Sequence, residues 1–404
     1  MNVDELVRDT LRETAADTVS VPAGFTDRVL AVRRRRRTRT LAGAAVATAF
    51  AVAVGVAVPV LNGRDEPRLA SQMNRSDLIA HPDQTPPRDL IAAGDVAMAA
   101  YFTSATVEET PDRGLYLRTY RLLDQKTGKY VKTTKWSFLD VAPGMRTAAV
   151  LEKGLPTKRI GLLNLLTGEV ERWITVDRAV AGVSFSPDGG KLVATTYSKN
   201  PDLRYRADYD SDGDGKKNDW ETRFGQSERT GFYVLDVDSG DGSWSRVTGN
   251  EEDLNVRQDF AFSADGKLVY SGLTSEPHMQ YYDFEGKEVD KPANEKYLHW
   301  FVDAGLSPNG KLAAGDFAGG ARTTASAIND PYTGERLFTI PGQQLLAWAD
   351  NKRLIAWDIT PGANEFHNRL VLVTIGNKKT VPLSGFRQGN DGAAGRWEPI
   401  FAER

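Results

Sequence analysis

The sequence predicts an all-β body of repeated four-stranded units, preceded by one membrane-spanning helix. Three observations predict it: a hairpin pattern that recurs between about residues 88 and 385, a second hairpin after each copy, and an uncharged run of 22 residues behind an N-terminal arginine cluster. The repeat is taken first, because it accounts for most of the chain.

Its clearest copy is Val183-Ser184-Phe185-Ser186-Pro187-Asp188-Gly189-Gly190-Lys191-Leu192-Val193-Ala194. Val183 and Phe185 alternate with small polar residues, the period of two that a half-buried strand requires. Pro187 presets the first turn position, Asp188 caps the turn with its carboxylate, and Gly189 supplies the positive φ that reverses the chain. The pattern returns as Phe260 to Val269 and as Ala304 to Ala313. Weaker copies run from Leu139 to Gly144 and from Leu346 to Asn351, and a degenerate first copy from Leu90 to Met98. With Ala93, Ala142, Ser186, Ser263, Ser307 and Ala349 as anchors, the steps are 49, 44, 77, 44 and 42 residues. One step is too long for a plain repeat.

The second hairpins turn at Thr127-Gly128, Thr167-Gly168, Ser239-Gly240, Glu285-Gly286, Thr333-Gly334 and Gly376-Asn377. Apolar runs such as Ile160 to Leu165 and Phe232 to Val237 precede these turns, and shorter runs follow them. Two hairpins per repeat make four strands in roughly 40 to 50 residues, the period of a propeller blade. The count is six blades, or seven if residues 396–402, with Trp397 and Phe401, add a strand that closes the ring.

Phe185-Ser186-Pro187-Asp188-Gly189 with a Lys-Leu pair after it, then a strand ending in Asp and a Thr-Gly or Ser-Gly turn, resembles the WD40-like repeat of TolB-type β-propellers. The resemblance covers roughly residues 88 to 385 and implies the fold more than any activity. Trp357-Asp358 is the only Trp-Asp dipeptide, and no Gly-His precedes it.

The N-terminal region has a different character. Val3, Leu6, Val7 and Leu11 recur at helical spacing, Pro22 interrupts, and Phe25, Val29 and Leu30 begin a further turn or two. Residues 1–39 therefore read as a short helical cytoplasmic tail ending in the basic cluster Arg33 to Arg37 and Arg39. Residues 1–31 could dock on a cytoplasmic protein partner. Residues 40–61 carry no charge and would span ~33 Å as a helix, enough for a hydrocarbon layer of about 30 Å. The arginines place the N-terminus in the cytoplasm and the rest outside, in a single-pass plasma-membrane topology. A cleaved signal peptide fits less well, because the charged region is long and Val58-Pro59-Val60-Leu61 is a poor exit site.

The membrane-anchored arrangement resembles actinobacterial WD40-like proteins, some with tails similar to the juxtamembrane parts of anti-sigma factors. That resemblance implies signalling to a cytoplasmic regulator. The zinc-binding His and Cys motif of many anti-sigma domains is absent here.

Residues 62–87 read as a polar, proline-punctuated linker, and residues 88–404 as the propeller. The overlong step holds an insertion at residues 200–231 in the third blade, between a strand ending near Tyr197 and one starting near Phe232. Within it, Asp210, Asp212, Asp214, Lys216, Asn218 and Glu221 match the D-x-D-x-D-G-x5-E calcium loop at every required position. Alternating aspartates converge on one hard cation, Lys216 offers its carbonyl, Asn218 an oxygen and Glu221 two oxygens. Lys217 and the lack of a second loop make the motif resemble lone dockerin-type calcium loops more than a switching EF-hand pair. The alternative is a solvated acidic loop without metal.

Bulk composition narrows the function classes. Residues 1–63 hold nine Arg against six acidic residues, and the rest is mildly acidic within a total of -3. That surface is no nucleic-acid footprint. The absence of cysteine excludes disulfides and thiol catalysis. His278, His299 and His367 fall in different blades, and no His-Glu-x-x-His or Gly-x-Ser-x-Gly occurs. Trp136, Trp173, Trp348 and Trp357 read as core residues. A non-enzymatic binding or sensing module for a protein, peptide or glycan is the expectation, with a hydrolase or lyase site in the central channel as the alternative.

Overall fold

The computed structural model describes residues 77–210, 218–223, 227–249, 257–320, 323–359, 366–389 and 396–404. The chain divides into residues 1–58 and 59–404, and every described residue belongs to the second part. The expected tail, the expected span at 40–61 and residues 62–76 of the expected linker lie outside the described residues. Among the described residues all regular structure is β-strand, and no helix is long and apolar enough to cross a membrane.

Among the described residues, twenty-six strands form five sheets, and every ladder between them is antiparallel. The second sheet shows how the repeat is built. Its strands Trp136–Val141, Thr147–Glu152, Thr157–Asn164, Glu169–Phe185, Lys191–Tyr197, Arg229–Asp236 and Gly242–Ser245 lie side by side in chain order. Glu169–Phe185 serves two units: its first half pairs with Thr157–Asn164 and its second half with Lys191–Tyr197. Lys191–Tyr197 then pairs with Arg229–Asp236, so the residues of the long step lie between two neighbouring strands. The third, fourth and fifth sheets are shorter meanders of four, three and four strands.

The first sheet combines Val96–Thr110, Arg113–Asp124 and Lys129–Thr133 with Trp397–Glu403, whose residues pair from Trp397↔Thr103 to Glu403↔Val96. The C-terminal strand thus completes the first sheet and starts no further one. Leu78–Ile79, in the stretch expected to be linker, pairs with Ala92–Ala93, so residues 77–87 belong to the packed body.

The period-two alternation of Val183 and Phe185 holds, but the strand beside them is buried throughout: Leu192 to Tyr197 present no exposed residue. A strand buried on both faces belongs to a sheet covered on both sides. Apolar clusters show what covers them. Phe232 meets Phe260 at 4.7 Å between the second and third sheets, and Tyr281 packs with Ala313 between the third and fourth. Ile328 packs with Leu354 between the fourth and fifth, and Trp357 meets Trp397 at 5.3 Å between the fifth and first. Tyr120 and Val150 share the cluster between the first and second. A succession of antiparallel sheets whose last member packs back on the first is the organisation of a β-propeller.

The anchor serines explain why the hairpin motif recurs. Ser186 Oγ donates to Asp188 at 2.5 Å and accepts from Lys191 N at 2.8 Å. Ser263 repeats this with Asp265 and Leu268, and Ser307 with Asn309 and Leu312. Each turn closes on a glycine at positive φ, Gly189, Gly266 or Gly310. The serine is buried because its hydroxyl has both partners inside the turn.

Candidate functional site: a cavity where three sheets meet

A cavity of about 320 Å³ opens where the first, second and third sheets converge. Asp140 and Phe185 come from the second sheet, Phe262 and Tyr270 from the third, and Phe401 and Glu403 from the first. Each lies at or near the first hairpin of its repeat or on the closing C-terminal strand, so the repeat itself delivers the lining.

Asp140 accepts the Phe185 N–H at 2.8 Å, and burial nevertheless pushes its carboxyl up to about 6. Asp303, at the start of the fifth repeat unit, behaves alike. Burial raises it to about 6 although Gln344 Nε2 donates to it at 3.0 Å, and Glu398 adds to the rise. Asp303 is nevertheless accessible to water.

One of the hydroxyls that line the cavity is committed to its turn. Ser186 donates to Asp188, whose carboxyl lies below its usual range and is a weak base, and accepts from Lys191 N, so its hydroxyl is held in the turn. No histidine lines the cavity. Carboxylates beside aromatic walls can bind polar or cationic groups, but this set lacks an assembled nucleophile and base.

A second charged assembly fixes the insertion. Arg118 grips Asp202 with contacts of 2.7 and 3.1 Å, and Arg257 bridges Asp202 at 2.9 Å and Asp259 at 2.6 Å. Arg257 also donates to Ala181 O and lies 4.4 Å over the Phe138 ring. Burial alone would raise the Asp202 carboxyl, but Arg257 and Arg118 outweigh it and hold the group below its usual range. Every member has its partner, so the assembly positions the chain. Sequence reasoning missed it, because the residues are spread over more than a hundred positions.

The predicted metal ligands are only partly on view. Asp212, Asp214 and Lys216 lie outside the described residues. Asp210, Asn218 and Glu221 belong to a β-hairpin whose strands Leu203–Arg206 and Trp220–Glu221 pair Tyr205↔Glu221 and Arg206↔Trp220. Tyr209 Oη donates to Glu221 at 2.6 Å, and Arg206 donates to the Asn218 carbonyl at 2.6 Å. The hairpin adds to the first sheet through Leu203↔Leu115 and Tyr205↔Arg113. The insertion of one unit therefore rests on the sheet of another, which the sequence did not signal.

Of the histidines read as scattered, His278 and His299 lie ring against ring, with centroids 4.7 Å apart. Trp136, Trp348 and Trp357 are core residues, as expected, while Trp173 is half-buried.

No protein-family model matches the chain, and no curated protein does. Among solved structures, TolB from Acinetobacter baumannii is 16% identical, with a TM-score of 0.37 over 76% of this chain and 67% of that one. An oligogalacturonate lyase in complex with manganese is 13% identical, with a TM-score of 0.42 over 76% and 87%. Kuenenia stuttgartiensis hydrazine synthase is 13% identical, with a TM-score of 0.31 over 61% and 65%. Likeness at this level says nothing of activity or ligand, and the functional reading rests on the chain's own residues.

Proposed function

We propose that this chain is a membrane-tethered, extracytoplasmic propeller of six blades that acts as a non-enzymatic binding module. The tether is the uncharged run at 40–61, oriented by the arginines before it. The ligand is a protein, peptide or glycan, taken up at the cavity between the first three sheets. Calcium held by Asp210, Asp212, Asp214, Lys216, Asn218 and Glu221 orders the insertion, and residues 1–31 meet a cytoplasmic protein partner.

The observation that carries binding over catalysis is the cavity lining. Aromatic walls and the carboxylates Asp140 and Glu403 surround it, while Ser186 is locked in its turn. The test is co-purification of the full chain from detergent-solubilised membranes, beside the chain lacking residues 1–31 and the Glu403→Lys variant. A partner retained by the shortened chain and lost with Glu403→Lys identifies the cavity ligand. Equal capture by Glu403→Lys and the unaltered chain, or release of the chain from membranes by salt alone, sinks the reading.

A further inference from the structure

Residues 290–305 join the third sheet to the fourth and contain no strand. Trp300 fastens this connection. Its Nε1 donates to Leu273 O at 2.6 Å, and its ring lies so close over Gly272 that a Cβ there would stand 2.5 Å from it. Trp300 and the adjacent Phe301 remain 36% and 43% exposed. Beneath them are His278 and His299, their rings inclined at 38°, with Phe301 at 6.1 and 5.2 Å from the two centroids.

Both Nδ1 atoms of this pair are buried and lack a hydrogen-bond partner. His278 Nε2 faces Glu276 at 3.1 Å. A neutral ring whose Nε2–H donates a hydrogen bond to that carboxylate leaves Nδ1 as a bare lone pair. His299 Nδ1 stands 4.0 Å from Asp316, beyond hydrogen-bond reach. The surrounding charges are thus Glu276 and Asp316, with Lys291, whose Nζ donates to Pro277 O at 2.5 Å.

The two rings stand on differently built backbone. His278 sits in a left-handed turn at φ 63°, its N–H bonded to Ser275 O at 2.7 Å and its C=O to Leu273 N at 2.8 Å. His299 lies in the strand-free connection, where its carbonyl accepts Val302 N at 3.0 Å. His299 Nδ1 has no hydrogen-bond partner, and Asp316 is the carboxylate beside it.

We propose that His278 and His299 form a proton-operated latch. Neutral, the stacked pair holds residues 297–301 against the third sheet; protonated, the rings part, His299 turns to Asp316, and Trp300 and Phe301 change their exposure. Two half-buried imidazoles in contact cannot both carry charge without repulsion, whereas Asp316 offers a charged His299 a partner. Burial holds His299 below the ordinary histidine range; His278 and Lys291 act in the same sense, and Asp316 and Glu276 oppose them. A folded-state value below the free one means that protons favour the opened form. The latch therefore weakens as pH falls below about 6.5 and through the folded value.

The test follows Trp300 emission in the full chain between about pH 7.5 and about pH 5, as the difference from the Trp300→Phe variant. A reversible change centred below about pH 6.5, lost in His299→Gln and moved to lower pH in Asp316→Asn, is expected. A flat signal, or the same transition in His299→Gln, overturns the latch. Histidine C2–H resonances of the unaltered chain need no variant to fold. His299 titrating below the ordinary histidine value supports the proposal, and titration at or above that value overturns it.

Discussion

At the scale of single residues, the three serine-centred turns are the chain's own controls, because the same hydroxyl does the same work in three places. Ser186 and Ser263 donate to aspartates, whereas Ser307 donates to Asn309, which does not titrate. The Ser186 hydrogen bond is the main reason that the Asp188 carboxyl lies below its usual range. Burial would raise Asp265, but Ser263 and Lys267 outweigh it and the carboxyl is also lowered. Depressed carboxyls contribute stability above their unfolded value, and that contribution is lost as pH falls through the folded one. Replacing Ser186 or Ser307 by Ala removes the hydroxyl partner of a part-buried backbone N–H and should cost about 0.5–1.5 kcal/mol in urea unfolding at neutral pH. The Ser186→Ala cost should shrink near pH 3.5, while the Ser307→Ala cost should not. Equal pH dependence for the two would show that the carboxylates contribute nothing special to these turns.

At the scale of elements, what the sequence revealed was local. Every second-hairpin turn read from Thr-Gly, Ser-Gly or Glu-Gly pairs closes on a glycine at positive φ, from Gly128 to Gly334, and so does the Gly376-Asn377 turn. Turn chemistry is a near-neighbour property, and it survives translation into structure. The pairing of Leu203–Arg206 with Arg113–Asp124 was hidden, because strand edges carry no label naming their partner. The stacking of His278 and His299 was hidden for the same reason, since it depends on how one sheet meets the next. In the insertion, cation–π contacts of Arg206 on Trp220 at 3.8 Å and of Arg204 on Tyr116 at 4.8 Å tie the hairpin to itself and to the first sheet. The calcium motif lies between those strands. Ion binding that favours the folded hairpin adds stability that rises with free calcium. Calcium should therefore raise the melting temperature over chelator, and Asp212→Ala should abolish the difference while leaving the chelated curve in place. Identical curves with calcium and with chelator would dispose of the metal.

At the scale of the whole body, closure depends on one strand. Trp397–Glu403 pairs along Val96–Thr103, hundreds of positions away in sequence, so its loop-closure cost falls late in folding. Side chains make that late contact strong. Trp397 is 1% exposed, packs edge-on to Tyr101 at 5.7 Å and to Trp357 at 5.3 Å, and donates to Thr85 Oγ1 at 3.2 Å. Arg387 lies 3.6 Å over the Trp357 ring and donates to the Trp397 carbonyl at 2.9 Å, while Arg404 bonds the carbonyls of Gly94 and Asp77. Removing residues 396–404 would strip an aromatic cluster worth about 3–5 kcal/mol for the tryptophan alone and bare the Val96–Thr103 edge. A chain so shortened should lose cooperative urea unfolding and self-associate through that edge. A synthetic peptide of residues 396–404 should restore both cooperativity and the monomer by adding the missing strand in trans. If the shortened chain instead unfolds with an unchanged midpoint and slope, the first sheet is self-sufficient and the C-terminal strand does not hold the body closed.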